Sequence, residues 1–462
     1  MITPEHPRNA TRLIYIYSIP RIGSSLLLGI VGLGVAELYI IGYNLPGFWG
    51  FFPVAMGYLA IAFSQFFFGW ISDKWYTRLG RRKPWILLLA PLSFVSFICL
   101  FLPDLFLHNP SQSTVIAWLI LWDIMFEVAY AVSTPYGAWM AEEFTLDERP
   151  RVSQITNTFN FIGYGIMAVF TLVVLTNFST QLSQHPGVLP PVYVWSCFIF
   201  GLIFFVSYYV CALVMPTEAP PKTKPDLRKN LRNIVENKNY MHVVIMQGFA
   251  SLTWIAATGV MLLYTQKVLG FGLFDYILAG LTLLFGIFIF LYVWRVIVAK
   301  WGKTKTLLVV FVLAMCVMSC SLLGFVPFPS TMVFGILFIG GTAVFLAGWY
   351  LLSSIWYADL AQDDAQKTGE MKAGLYAGFP SILLNIFQAL GTFILALLVT
   401  LPNFTVVTAT YSHTFSIGYV VYGPIFAACL LLTYFYTRNI SKVQLDVAKQ
   451  ELTHEEPVKD DP

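Results

Sequence analysis

Long apolar runs broken by short polar stretches repeat from one end of the chain to the other. A bilayer-crossing helix takes about 20 mostly apolar residues, and twelve runs reach that length. In the first half they fall near 13–42, 48–72, 84–103, 113–140, 152–176 and 191–214. In the second they fall near 241–266, 273–298, 305–326, 331–357, 372–400 and 416–437. None shows the apolar–polar alternation, in pieces of roughly ten residues, that marks the strand of a membrane barrel. Pro20 and Arg21 interrupt the first run and no small-residue cleavage site follows, so it reads as a span and not as a cleaved signal. The pattern predicts an all-α membrane protein of twelve transmembrane helices.

Composition agrees. Of 462 residues 58% are hydrophobic and 11% charged, against roughly a quarter charged in soluble domains. A mean hydropathy of +0.72 excludes a water-soluble globule, a disordered chain and a nucleic-acid binder. The net charge of +3 says little, but its placement says more. With both termini inside, 25 of the 27 Lys and Arg residues fall in inner segments, as the positive-inside rule requires. Lys267 falls outside and Arg21 within a span. All six cysteines fall inside predicted spans and read as buried thiols, with no metal site and no disulfide framework implied. The histidines sit in loops, tails or span ends.

The chain divides into a six-helix bundle over 1–214, a linker over 215–240, a second six-helix bundle over 241–437 and a polar tail over 438–462. The linker opens Pro- and charge-rich, and Leu227, Leu231, Ile234 and Val235 then share one helical face, predicting a short amphipathic helix on the inner membrane surface. The halves echo each other. Gly69 to Lys83 after span two matches Trp294 to Lys305 after span eight, and GAWMAEE at 137–143 matches SIWYADL at 354–360. Gln154, Asn157 and Asn160 in span five match Ser381, Asn385 and Gln388 in span eleven. A duplicated six-helix unit resembles the major facilitator superfamily, whose halves rock about a midplane site. That resemblance implies two pseudo-symmetric bundles, N-in and C-in.

Gly69, Asp73, Arg78, Gly80, Arg81 and Arg82 resemble the superfamily's inner-loop motif, here stretched between Asp73 and Gly80. The form DKWYTRLGRRKPW, with TLDERPR at 145–151, Ala358-Asp359 and KAGLY at 372–376, is similar to the glycoside–pentoside–hexuronide:cation symporter branch, which includes the melibiose and sucrose carriers. Such a loop can act as a conformational latch, its arginines binding carboxylates at neighbouring helix ends such as Glu142, Glu143 or Asp359. The plainer reading is that these basic residues set topology alone.

An ionisable residue at bilayer depth is a functional candidate by default. Glu127 lies near the centre of span four, with Asp123 one turn away on the same face. Both are coupling candidates, and Glu127 is expected to face a central wet cavity. Sucrose-type relatives carry a span-four carboxylate shortly before a proline, and Glu127 precedes Pro135 by eight residues. The alternative is a carboxyl held between helices by hydrogen bonds. Arg21 is a third coupling candidate: it can pair with Glu127, bind an anionic or hydroxylated ligand, or snorkel to the headgroups. Glu37 reads as an interfacial residue. Where melibiose-type relatives hold sodium-site carboxylates and a lysine, the resemblance places Ser25, Ile61, Gln65 and Asn385. It therefore implies a proton, or no ion, in place of sodium.

Sugars are held by amides and aromatic faces. Gln65, Asn157, Asn160, Asn385 and Gln388 are candidate amide contacts, and Tyr130, Trp254, Trp349 and Tyr376 candidate ring contacts. Membrane helices also use amides to bond each other and aromatics to fill cores. Two sequons, at Asn177 and Asn403, fall in predicted outer loops. The expected function is a secondary transporter of a sugar or glycoside, working as a monomer in the cell membrane with a proton as partner, no cofactor and no nucleic acid. The alternatives are a carrier of a drug, organic acid or lipid-like solute, an uncoupled facilitator, a non-transporting sensor or, remotely, a membrane-embedded enzyme. No phosphate-binding Gly-x-x-x-x-Gly-Lys-Ser/Thr run is present to drive an ATP pump.

Overall fold

A computed structural model describes residues 10–144, 148–217, 235–236, 238–327, 330–368, 373–407 and 412–440. Most of the predicted amphipathic helix and the tail beyond 440 lie outside these residues. So do the side chains of Asp73, Glu142, Asp359 and Tyr376.

Twelve described helices are long and apolar enough to cross a membrane. They are α1 (Thr11–Gly42), α2 (Gly47–Ser72), α3 (Lys83–Phe101), α4 (Gln112–Met140), α5 (Arg151–Gln184) and α6 (Pro191–Val214), then α7 (Tyr240–Val268), α8 (Leu273–Trp301), α9 (Lys303–Phe325), α10 (Thr331–Leu352), α11 (Phe379–Leu398) and α12 (Gly418–Arg438). In lipid every backbone amide must be satisfied internally, which makes the helix the default for each apolar run. The helical backbone of α10 continues to Thr368. Between Tyr130 and Ser133 the bonding of α4 tightens to three-residue steps, Ala131 to Val128 and Val132 to Ala129, just before Pro135, which has no amide hydrogen to give.

Two features depart from the predicted loops. Helix α5 runs on to Gln184, so Asn177 lies on a helix, and its amide bonds back to the Val173 carbonyl at 2.8 Å. Asn403 begins a strand: β1 (Asn403–Val407) pairs antiparallel with β2 (Ser412–Ser416) between α11 and α12. The cysteine expectation also needs correction. Cys99, Cys197 and Cys211 are buried, but Cys316 and Cys320 are exposed on α9 and Cys429 is intermediate. An apolar thiol has no reason to avoid a lipid-facing position.

Internal duplication extends to individual hydrogen bonds. Helices α1 and α7 both widen into a π turn at one end, Leu38–Gly42 and Tyr264–Val268. Each closes alike: Tyr43 N–H bonds Leu38 and Leu45 bonds Tyr39 in one, while Leu269 bonds Tyr264 and Phe271 bonds Thr265 in the other. Left-handed residues follow at equivalent places, Asn44 with φ 51° and Gly270 with φ 65°. Such π turns are uncommon, and a matched pair marks a built feature of the fold.

The buried apolar residues form two clusters. One is drawn from Ile14 to Met215, and the other mainly from Tyr240 to Leu430. Five residues of the first half, Ala36, Ile40, Ile41, Phe51 and Leu172, join the second cluster. All five lie toward the side away from the termini, which is the outer side on the predicted orientation. The halves also meet there through Gln266, whose amide reaches the Thr180 hydroxyl at 3.3 Å, and through Leu172 packed onto Gly280. The outer side is closed.

Candidate functional site

Tyrosines from the two halves come within electrostatic reach of one another. Tyr350 of α10 is 53% exposed and Tyr164 of α5 is 37% exposed. Tyr164 lies within electrostatic reach of Arg21 and of Tyr350. Tyr58 of α2 lies within reach of Tyr350, Asp123 and Glu127. Rings that keep exposed surface while lying within reach of each other from opposite halves define the candidate central cavity.

The acidic pair sits at its edge. Asp123 and Glu127 pack against Gly57 of α2, where a methyl group would collide with Asp123 Oδ2 and come within 3.1 Å of the Glu127 Cγ. Asp123 is 1% exposed and Glu127 5%. Both Asp123 oxygens and Glu127 Oε2 are sealed with no hydrogen-bond partner. The alternative of a carboxyl held by interhelical hydrogen bonds thus finds no bonds to rest on. In this state the pair lies between α2 and α4, behind the cavity wall, with Glu127 the less enclosed of the two.

Arg21 does not pair with Glu127 here, and no described acidic side chain bonds it. Its guanidinium stands 6.0 Å from the Tyr136 ring centroid, close enough for a cation–π contact. Tyr17, Tyr130 and Tyr208 complete the surround. These rings are themselves fixed: Tyr17 stacks on Tyr136 at 4.7 Å, and the Tyr208 and Ser24 hydroxyls share a 2.7 Å bond. Tyr130, expected to touch substrate, is 6% exposed and belongs to this cage.

Among the amides, Asn157, Asn160 and Tyr164 recur at three- and four-residue spacing and so share one face of α5. Tyr164 looks into the cavity, so that face does too. The Asn157 amide also reaches Ser153 at 3.5 Å. Asn385 and Gln388 on α11 are half-buried, near the sequence positions of the inward Ala389 and Thr392. Gln65 is half-buried and reaches the Ser133 hydroxyl at 3.5 Å.

Trp254 and Trp349 need correction. Their rings lie 5.2 Å apart, and Trp254 also stacks on Phe345 at 5.2 Å. With exposures of 5% and 7% they fill the core of the second bundle in place of lining the cavity. Burial of large apolar rings explains the placement. Glu37 is corrected as well: it is 0% exposed, not interfacial. Tyr58, Tyr164 and Tyr350 were the residues that sequence reading missed. Twenty-four tyrosines in the chain give no signal of which ones face water.

The inner loop is built tightly. Gly69 lets α2 approach α4, a methyl group there falling 3.1 Å from Thr134 Cγ2. The Thr77 hydroxyl and amide both bond the Gly80 carbonyl, at 2.8 and 3.1 Å, and Gly80 takes φ 95°. Arg82 is 4% exposed and its Nη1 donates to Ser72 Oγ at 2.7 Å. Arg78 is exposed and Arg81 half-buried. Removing a buried charged donor that holds a turn costs about 2 kcal/mol. Arg82→Gln is therefore expected to lower the thermal midpoint in detergent, while Arg78→Gln leaves it unchanged. On the opposite side, Tyr43 donates to Asp104 Oδ2 at 2.7 Å. Burial raises the Asp104 carboxyl above its ordinary value and that bond lowers it.

A twelve-helix bundle in two matched halves, closed on one side around a tyrosine-lined cavity, defines a secondary carrier of the major facilitator type. The chain belongs to the MFS/sugar transport protein family, whose model matches residues 55–439. It is 25% identical over 206 residues to the inner membrane symporter YicJ of Escherichia coli strain K12. That match covers 44% of this chain and 42% of the relative, so the chain spans less than half the length of the curated protein it matches. Its fold is similar to that of a point mutant of the nucleoside transporter NupG, with TM-score 0.64, 12% identity and 93% and 99% of the two chains covered. A D-xylose-proton symporter superposes with TM-score 0.63, 12% identity and coverage of 92% and 96%.

Proposed function

We propose that this protein carries a sugar or glycoside across the membrane by alternating access, coupled to a proton, as a monomer and as a carrier in place of an enzyme. The carrying observation is the Asp123–Glu127 pair: two carboxyls without a cation or a hydrogen-bond partner, packed on Gly57 and within electrostatic reach of Tyr58. Uncompensated charge is too costly there for both groups to stay ionised. Each opening of the cavity that wets them lets a proton leave, and each closing takes one back. Around the solute stand Tyr58, Tyr164, Tyr350, Asn157, Asn160, Asn385 and Gln388, a mixture of ring faces and amides suited to hydroxyl groups. Arg81, Arg82 and Asp73 would form the latch on the inner side. The D-xylose-proton symporter, a protein of the same fold that couples to a proton by its own name, fits this reading.

The test is uptake of labelled glycosides by reconstituted vesicles under an imposed proton gradient. Accumulation of at least one glycoside, with alkalinisation on the side it leaves, is the expected result. Uptake blind to the gradient would leave a facilitator. Asn385→Ala should raise the half-saturating solute concentration about tenfold, the equivalent of one lost hydrogen bond of roughly 1.4 kcal/mol. Initial-rate uptake checks this.

One observation favours a second solute class. Arg21 is half-buried, with no acidic partner among the described side chains. A solute bearing a carboxylate would satisfy it, and an organic or sugar acid in the uptake panel separates that reading from a neutral glycoside.

A further inference from the structure

Glu37 lies apart from the central pair, toward the closed end of α1, and is 0% exposed. Neither carboxyl oxygen has a hydrogen-bond partner. Across the junction between the halves stands Tyr276 of α8, which lies within electrostatic reach of Glu37. The Tyr276 hydroxyl is likewise sealed, with the Thr265 side chain its neighbour for hydrogen bonding. The other titratable groups of the elements nearby are engaged elsewhere. Tyr264 of α7 bonds the Ser321 carbonyl at 3.0 Å, and Asp275 of α8 caps the Gly272 amide at 2.9 Å. Lys267 is half-buried at the end of α7, and the segments of α2 (Gly47–Val54) and α5 (Phe170–Leu175) at this level carry no titratable side chain. No cation among the described residues therefore faces Glu37.

The geometry points to Glu37 as a second proton-binding site, loaded when the outer side closes and emptied when it opens. In the closed state the carboxyl has neither water nor a cation, so the neutral acid is the form that fits. Parting the two halves at this level would wet it, and an ionised carboxylate would then oppose reclosure. The site thus makes outer closure draw one proton from the outer solution. This inference rests on alternating access of the two halves but not on the role proposed for Glu127.

The test uses full-length protein in vesicles, with spin labels at the exposed positions Gln181 on α5 and Phe274 on α8. With one proton linked to closure, the ratio of closed to open populations should fall up to tenfold per pH unit as the outer pH rises through the group's titration. Glu37→Gln should flatten that dependence and keep the short distance at high pH, and Glu37→Leu should do the same. Infrared spectroscopy of the closed protein should show a protonated-carboxyl carbonyl band that Glu37→Gln removes. Variants that keep the wild-type pH dependence, or a closed state lacking that band, would overturn the site. Loss of the pH dependence in Glu127→Gln but not in Glu37→Gln would assign the proton to the central pair and overturn it equally.

Discussion

Glu127→Gln should reduce proton-driven accumulation of solute by about a hundredfold or more while leaving counterflow exchange measurable. The amide keeps the shape of the carboxyl but cannot exchange a proton. It therefore holds the position in its neutral form through every half-cycle. Exchange of labelled for unlabelled solute needs only that the cavity open on one side with its contents bound, so it should persist. The comparison is made in one vesicle preparation, with an imposed gradient for accumulation and equal pH for counterflow. Loss of both activities in a variant that still elutes as a folded monomer would make Glu127 a solute ligand and not the coupling group. Unchanged accumulation would shift the role to Asp123, which is sealed on the same face of α4.

The second large effect is on folding. Gly163 of α5 packs directly on α1, where a methyl group would lie 2.5 Å from the Ile22 carbonyl oxygen and collide with the Ser25 hydroxyl. Backbone on one side leaves nothing that can swing away. Gly163→Val should separate the two helices and cost about 3 kcal/mol, the upper end of ordinary overpacking. Membrane helices rely on such small residues for close packing because lipid supplies little hydrophobic drive between them. The expected outcome is loss of the monodisperse peak in detergent. Gly165→Val, with open space at its Cβ, should run as wild type.

Much of this architecture could be read from the chain. Length and hydropathy place all twelve spans, because an apolar run in lipid has few alternatives to a helix. The fourth-span carboxyls could be singled out because charge at that depth is rare. Depth along a helix is legible, but direction around it is not. Trp254 and Trp349 looked like ring contacts and proved to be core, since the choice between cavity and core depends on neighbours distant in sequence. Glu37 looked interfacial from its place near a span end. Its burial at the junction of the halves leaves no local mark. Tyr58, Tyr164 and Tyr350 escaped for the same reason. The β1–β2 pair falls in a stretch too short and too polar to register beside the apolar runs.

The disposition of the six native thiols has a practical consequence. Three are packed away, Cys429 is half-buried within α12, and Cys316 and Cys320 open from within an apolar span of α9. A charged maleimide cannot dissolve in hydrocarbon. Single reporter cysteines placed on the aqueous faces can then be titrated from either side of a vesicle without stripping the natural ones, so gating can be followed in an otherwise unaltered chain.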